Sequence, residues 1–159
     1  MPGFDLKKFR NAKFEPRTED VSVPDLKDFF EEGAEPLWRV RNLSGHELGQ
    51  VNEAAERNKN LSVVLEALVS SNAKEKAEAV KELVGLSEET PNDVARRLEM
   101  LSLGSVEPAV DHETAVRLCT HFPIEFYALT NAIIKLTGQG SEIKKKQTAS
   151  GAVPMSETA

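Results

Sequence analysis

Pro36-Leu37-Trp38-Arg39-Val40-Arg41-Asn42-Leu43-Ser44-Gly45-His46-Glu47-Leu48 changes its hydrophobic period halfway along. From Pro36 to Leu43 the residues alternate, with Trp38 and Val40 on one face and Arg39 and Arg41 on the other, the pattern of a half-buried strand. At Ser44 the alternation stops and Ser44-Gly45-His46-Glu47 forms a capping box. The serine oxygen takes the amide of Glu47, and the glutamate reaches back to the amide of Ser44. A helix is therefore expected to about Asn58, with Leu48, Val51 and Ala55 as its apolar stripe. The decisive feature is this switch from a strand to helices.

Upstream, Val21 and Val23 alternate with polar neighbours and predict a partner strand that Pro24 ends. Leu26, Phe29 and Phe30 sit at helical spacing and predict a short turn. Two strands alone are marginal in water, so the hairpin over 20–43 must pack on helices with Trp38 as its anchor. Residues 1–19 carry Phe4, Phe9 and Phe14 among charges that nearly cancel. They have no clean period and read as an arm that orders only against a partner or the body.

Downstream the chain reads as helices to 138. Asn60 can cap one with Leu61, Val64, Leu65 and Leu68 on its stripe, broken at Ser70-Ser71-Asn72. A third carries Ala77, Val80, Leu83 and Val84 and closes at Gly85. Thr90-Pro91-Asn92-Asp93 is a further start, combining a cap, a proline at the first helical position and an early acid. Val94, Leu98 and Leu101 line that helix and Gly104 stops it. Asp111 caps the next, with Ala115, Leu118, Cys119 and Phe122 on one side, and Pro123 breaks it. The last helix has Phe126, Leu129, Ile133 and Leu136 on one stripe, Tyr127 and Ile134 on another, and ends at Gly138. Residues 139–159 offer almost nothing to bury and are expected to form a flexible, disordered tail. The expected fold is mainly α: a bundle of five to six helices with a small N-terminal β-hairpin, the single globular domain spanning 20–138.

The bulk properties narrow the function classes. With 159 residues and 40% hydrophobic content the chain supports one core. Aromatics are only 6%, so Leu, Val, Ile and Ala must build most of it. A net charge of −6 and a pI near 5.2 disfavour a general nucleic-acid binder, which needs a basic face. One cysteine, Cys119, allows no intramolecular disulfide and suits a reducing compartment. The first residues lack a signal peptide's apolar core and no stretch is long enough to span a membrane, so a cytoplasmic protein is expected.

Catalytic constellations fail on spacing. Ser44, His46 and Glu47 are triad residue types, but adjacent positions at a helix start cannot converge, and the capping box explains two of them. Cys119 and His121 point apart on a helix, and His112 lies about 10.5 Å of rise from Cys119, too far for one ion. Glu31-Glu32 and Glu88-Glu89 read as solvated turns. Arg39, Arg41, Arg57 and Lys59 read more simply as solvated positions than as an anion site. No glycine-rich phosphate loop occurs. No catalytic residue, metal or cofactor is expected. The last helix is instead apolar around more than half its circumference, either as the central helix of the bundle or as part of a groove for a partner's helix. Trp38, Arg39, Arg41, Phe126, Tyr127, Ile133 and Ile134 are the candidate contact residues.

Two sets of blocks carry a resemblance. Pro36 to Leu48, continued by Asn52-Glu53-Ala54-Ala55-Glu56-Arg57, resembles the tail assembly chaperones of long-tailed bacteriophages and prophages. So do Gly104-Ser105-Val106-Glu107-Pro108, Phe122-Pro123-Ile124-Glu125-Phe126-Tyr127 and Leu136-Thr137-Gly138-Gln139-Gly140. With their spacing these blocks cover most of residues 10–140, and none is a catalytic signature. The resemblance implies a chaperone that keeps the tape measure protein soluble in the host cytoplasm, helps recruit tail tube subunits, and is absent from the mature virion. It also implies two product lengths, the longer made by a ribosomal frameshift and engaging the tail tube protein. Lys144-Lys145-Lys146 is the candidate slippery region, against the simpler reading of a solubilising lysine run. Shallow grooves of modest affinity and self-association are expected. Competing readings are a helical adaptor or regulatory protein for another protein target, an enzyme assembled from His46, His112, Glu53 and Arg41, and, last, a nucleic-acid binder.

Overall fold

The computed structural model describes residues 3–70 and 91–144. These fold as a mainly helical body with a small β-hairpin near the N-terminus. The hairpin pairs β2 (Thr18–Ser22) with β3 (Leu37–Arg41) antiparallel, in the register Asp20 to Arg39 and Val21 to Trp38. A 3-10 turn over Pro24–Phe29 connects them and buries Leu26. A third strand, β4 (Ser105–Glu107), joins the other edge of β3, an addition the three-residue run Ser105-Val106-Glu107 does not announce. Trp38 and Val40 are buried while Arg39 is exposed, as the alternation requires. The Trp38 indole N–H donates to Ser105 Oγ at 3.1 Å, fixing β4 from inside. A buried indole N–H without a partner would be costly.

The long helix α2 runs unbroken over Gly45–Ser70. The expected division near Asn58, with Asn60 as a new cap, does not occur. No proline lies in Gly45–Ser70, and its only internal glycine, Gly49, sits in the second turn. Asn58 is buried and its amide donates to Asn92 Oδ1 at 3.2 Å, tying α2 to α3 (Asn92–Gly104). Among the described side chains of α2 the buried apolar ones are Val51, Ala54 and Ala55, and Leu48 is exposed; the expected stripe Leu61, Val64, Leu65 and Leu68 lies outside the described side chains. The helix expected over 77–84, its Gly85 stop, Thr90 and the pair Glu88-Glu89 lie outside the described residues. Pro91 flanks α3 rather than forming its first turn.

The capping box at Ser44 is present in both directions, with Glu47 N to Ser44 Oγ at 3.1 Å and Ser44 N to Glu47 Oε1 at 3.0 Å. Asp111 caps α4 (His112–His121), accepting from Thr114 N at 2.8 Å. Pro123 begins α5 (Pro123–Gln139) directly after α4. That helix ends two residues later than expected, at Gly140 with φ +76°, and Gly138 lies within it. The residue in the left-handed region is the one that needs glycine.

The core lies where α5 meets α3, α4 and the sheet. Phe126, Leu129, Ile133 and Leu136 of α5 are buried with Leu98, Leu101, Val23 and Val40. Gly104 owes its place to a close approach: a Cβ there would sit 2.7 Å from Ile133 Cδ1. At the surface of the same interface, Arg97 of α3 donates to Thr130 Oγ1 and Asn131 Oδ1 of α5 at 2.6 and 2.8 Å. Its guanidinium lies 4.6 Å from the Tyr127 ring centroid, a cation–π contact.

The ends of the described chain also differ from expectation. The arm contains a short helix, α1 (Leu6–Asn11), capped by Asp5, and β1 (Phe14–Glu15). The latter pairs with β5 (Glu142–Ile143), in the stretch expected to be a free tail from 139. Lys144 N donates to Lys13 O at 2.7 Å, and Arg17 pairs with Glu142 at 3.5 Å. Backbone pairing needs no buried side chain, which is why composition did not reveal it. The remainder of the expected tail, from 145, lies outside the described residues.

Candidate functional site

An open groove of about 980 Å³ separates three walls. The first is the loop after β2 with the start of β3, contributing Leu26, Phe29, Phe30 and Leu37; the second is the sheet row Asp20, Arg39 and Glu107; the third is α4 and its C-cap, with Arg117, Leu118, His121 and Phe122. Trp38 reaches the floor. The Pro24 turn explains the first wall: it directs Leu26 into the core and leaves Phe29 76% exposed at the rim. Phe29 meets Phe122 edge to face across the groove, with ring centroids 6.2 Å apart. Solvated phenyl groups facing one another over an apolar floor resemble a docking surface more than a finished core.

The rims are predominantly acidic. Asp20, Glu31, Glu35 and Glu107 line the groove against Arg39 and Arg117, a formal balance of −2 over these six. Arg39 donates to Asp20 at 2.9 Å, and this bond and charge, helped by Glu107, hold its guanidinium pKa above the ordinary value. Glu31, Glu35 and Glu107 are left facing a lone Arg117 among the lining residues.

The candidate contact residues divide by burial. Trp38, Phe126 and Ile133 are core residues, and the last two, completely buried, present no face to a partner. Only Trp38 touches the groove. Tyr127 and Ile134 are exposed on α5, but Tyr127 already stacks with Arg97. Arg39 lines the groove. Arg41 does not: it holds Glu47 through two hydrogen bonds of 2.9 and 2.6 Å, joining the strand to the capping box. Those bonds, first from Arg41 and then from the Ser44 amide, hold the Glu47 carboxyl down to about 2. Of the lysine run, Lys144 is exposed beside Lys13, while Lys145 and Lys146 lie outside the described residues.

Other sequence features have structural partners. Arg57 pairs with Glu99 at 3.0 Å and Lys59 with Glu56 at 3.8 Å, so all four members of the suggested basic surface are beside acids. Cys119 is partly buried and desolvation raises its pKa, which keeps the thiol protonated. None of His46, His112, Glu53 and Arg41 lines the groove. Among the described residues no group of three metal-ligating side chains is gathered, and no helix is long and apolar enough to cross a membrane.

Reasoning from sequence missed Phe29, Phe30, Leu37 and Arg117. Only one signal pointed to the groove: Phe29-Phe30 adjacent in the chain, where one helical turn cannot bury both. Comparison with models of protein families, with characterised proteins and with solved structures finds no match.

Proposed function

We propose that this protein is a binding protein without catalysis, a chaperone that shields apolar helical segments of a client. The observation that carries the reading is the groove, where exposed Phe29 and half-exposed Leu37 stand over an apolar floor between acidic rims. An amphipathic client helix lays its apolar side on such a floor and its basic side chains on the rims. The resemblance of the Pro36–Leu48 and Phe122–Tyr127 blocks to tail assembly chaperones supports the tape measure protein as that client. In this reading the chaperone acts in the host cytoplasm, helps recruit tail tube subunits, and is left out of the virion. A longer form made by slippage at Lys144-Lys145-Lys146 would engage the tail tube protein.

Coexpression with the tape measure protein tests the reading. The client is expected to be soluble with the wild-type chain and to precipitate with Phe29→Glu, which places a charge on the groove wall. A client that is equally soluble alone, or that ignores the substitution, overturns it. The nucleotide sequence around codons 144–146 tests the longer form: a slippery heptamer followed by an open shifted frame is expected, and the lack of either ends that part.

A further inference from the structure

The arm carries a second exposed apolar surface. Phe4, Phe9 and Phe14 pack in series as tilted rings with centroids 5.4 and 5.5 Å apart, yet they are 67, 52 and 47% exposed. Leu6 and, across the β1–β5 pair, Ile143 extend the patch, and none of the residues of α1 is buried. Such a cluster on an exposed arm marks a contact surface. Its charge is opposite to that of the groove. Over the whole N-terminal stretch the charges nearly cancel, but Glu15, Glu19 and Asp20 belong to the strands. Residues 3–13 alone hold Lys7, Lys8, Arg10 and Lys13 against Asp5, a net of +3. An aromatic, cationic arm and an aromatic, anionic groove are complementary in both respects.

The two surfaces do not meet within one molecule. The arm is pinned by β5 and by the Lys144–Lys13 backbone bond, and it enters the hairpin at Thr18, opposite Arg41. The groove gathers around Asp20, Leu37 and the loop at the other end of the hairpin, and no arm residue lines it. We infer that the arm of one copy docks in the groove of a second copy, giving a head-to-tail association. Each copy then keeps one free arm and one free groove, so the contact propagates into a chain or closes into a ring rather than stopping at a symmetric dimer. Each exposed phenyl offers on the order of 100 Å², so the interface belongs to the small, reversible class. Opposite charges across it make it salt-sensitive. The inference uses the groove but not the client, so it stands or falls on the free protein.

Light scattering and sedimentation of the full chain at low salt, up to about 100 μM, can reveal contacts of micromolar strength. The wild type is expected to grow beyond a dimer with concentration and to dissociate as salt rises. Phe9→Glu on the arm and Phe29→Glu in the groove should each be monomeric, weakened at least tenfold, with unchanged circular dichroism because neither residue is buried. Mixing the two variants separates this geometry from others. The intact groove of the first accepts the intact arm of the second, so the mixture should form one-to-one heterodimers and nothing larger. A monomeric wild type, assembly that survives in either variant, or a mixture that fails to pair would each overturn the inference.

Discussion

Five of the seven phenylalanines behave in two opposite ways. On α5, Phe126 has no exposed surface and is surrounded by Leu129, Ile133 and Leu101, whereas Phe4, Phe9, Phe14 and Phe29 stand largely in water. Phe30 and Phe122 are intermediate, at the groove where the two regimes meet. A chain with so few aromatics that sets four of its seven phenylalanines outside is building its core from aliphatic residues. Its aromatic surface is then left exposed among the described residues. The core is a solved packing problem; the arm and groove are, among the described residues, surfaces without a cover.

The sharpest way to break this contrast is to truncate one ring of each kind. Phe126→Ala should lower unfolding free energy by about 3–5 kcal/mol in urea denaturation, the cost of an emptied core site. A loss below 1 kcal/mol would mean that α5 is not the centre of the core. Gly104→Ala tests the tightest approach in the same region. Its new methyl forces Ile133 to move within a closed interior, so a loss of about 1–3 kcal/mol is expected. If the variant is as stable as the parent, α3 and α5 are less closely apposed than described.

The junction between strand and helix gives a smaller, pH-dependent effect. Glu47 is held down to about 2 chiefly by Arg41, whereas an unfolded glutamate titrates at about 4.3. Because the folded value is the lower one, the pair's contribution is fully present above about pH 4.3 and is lost as pH falls towards 2. Solvent reaches the pair, so about 1 kcal/mol is expected. Glu47→Gln should flatten the stability profile in that window, and an unchanged profile would remove the pair from the account. Smallest of all, Phe9→Ala and Phe29→Ala should shift stability by less than about 0.5 kcal/mol in thermal melts. A large loss in either would place that ring in the core and dissolve the contrast.

Local signals made the body legible. The capping box at Ser44, the Asp111 cap and the Trp38–Val40 alternation each depend on residues within a few positions, and each forms as expected. What depended on distant residues was hidden. The third strand exists because Trp38 finds Ser105, far along the chain, and β5 exists because Phe14–Glu15 offer it a free edge. A division was expected near Asn58 with Asn60 as a new cap, but Asn58 is buried against Asn92 of the distant α3 and the helix continues. The contact residues were the least legible. Apolar character singled out Phe126 and Ile133, yet the same character is what buries them. Phe29 could be recognised only once the Pro24 turn had shown which of Leu26, Phe29 and Phe30 points inward.

The pairing of Phe14–Glu15 with Glu142–Ile143 brings both ends of the described chain out at one corner. Anything joined after Lys144 is therefore tethered beside the aromatic arm, and a link of a few residues gives it a millimolar effective concentration there.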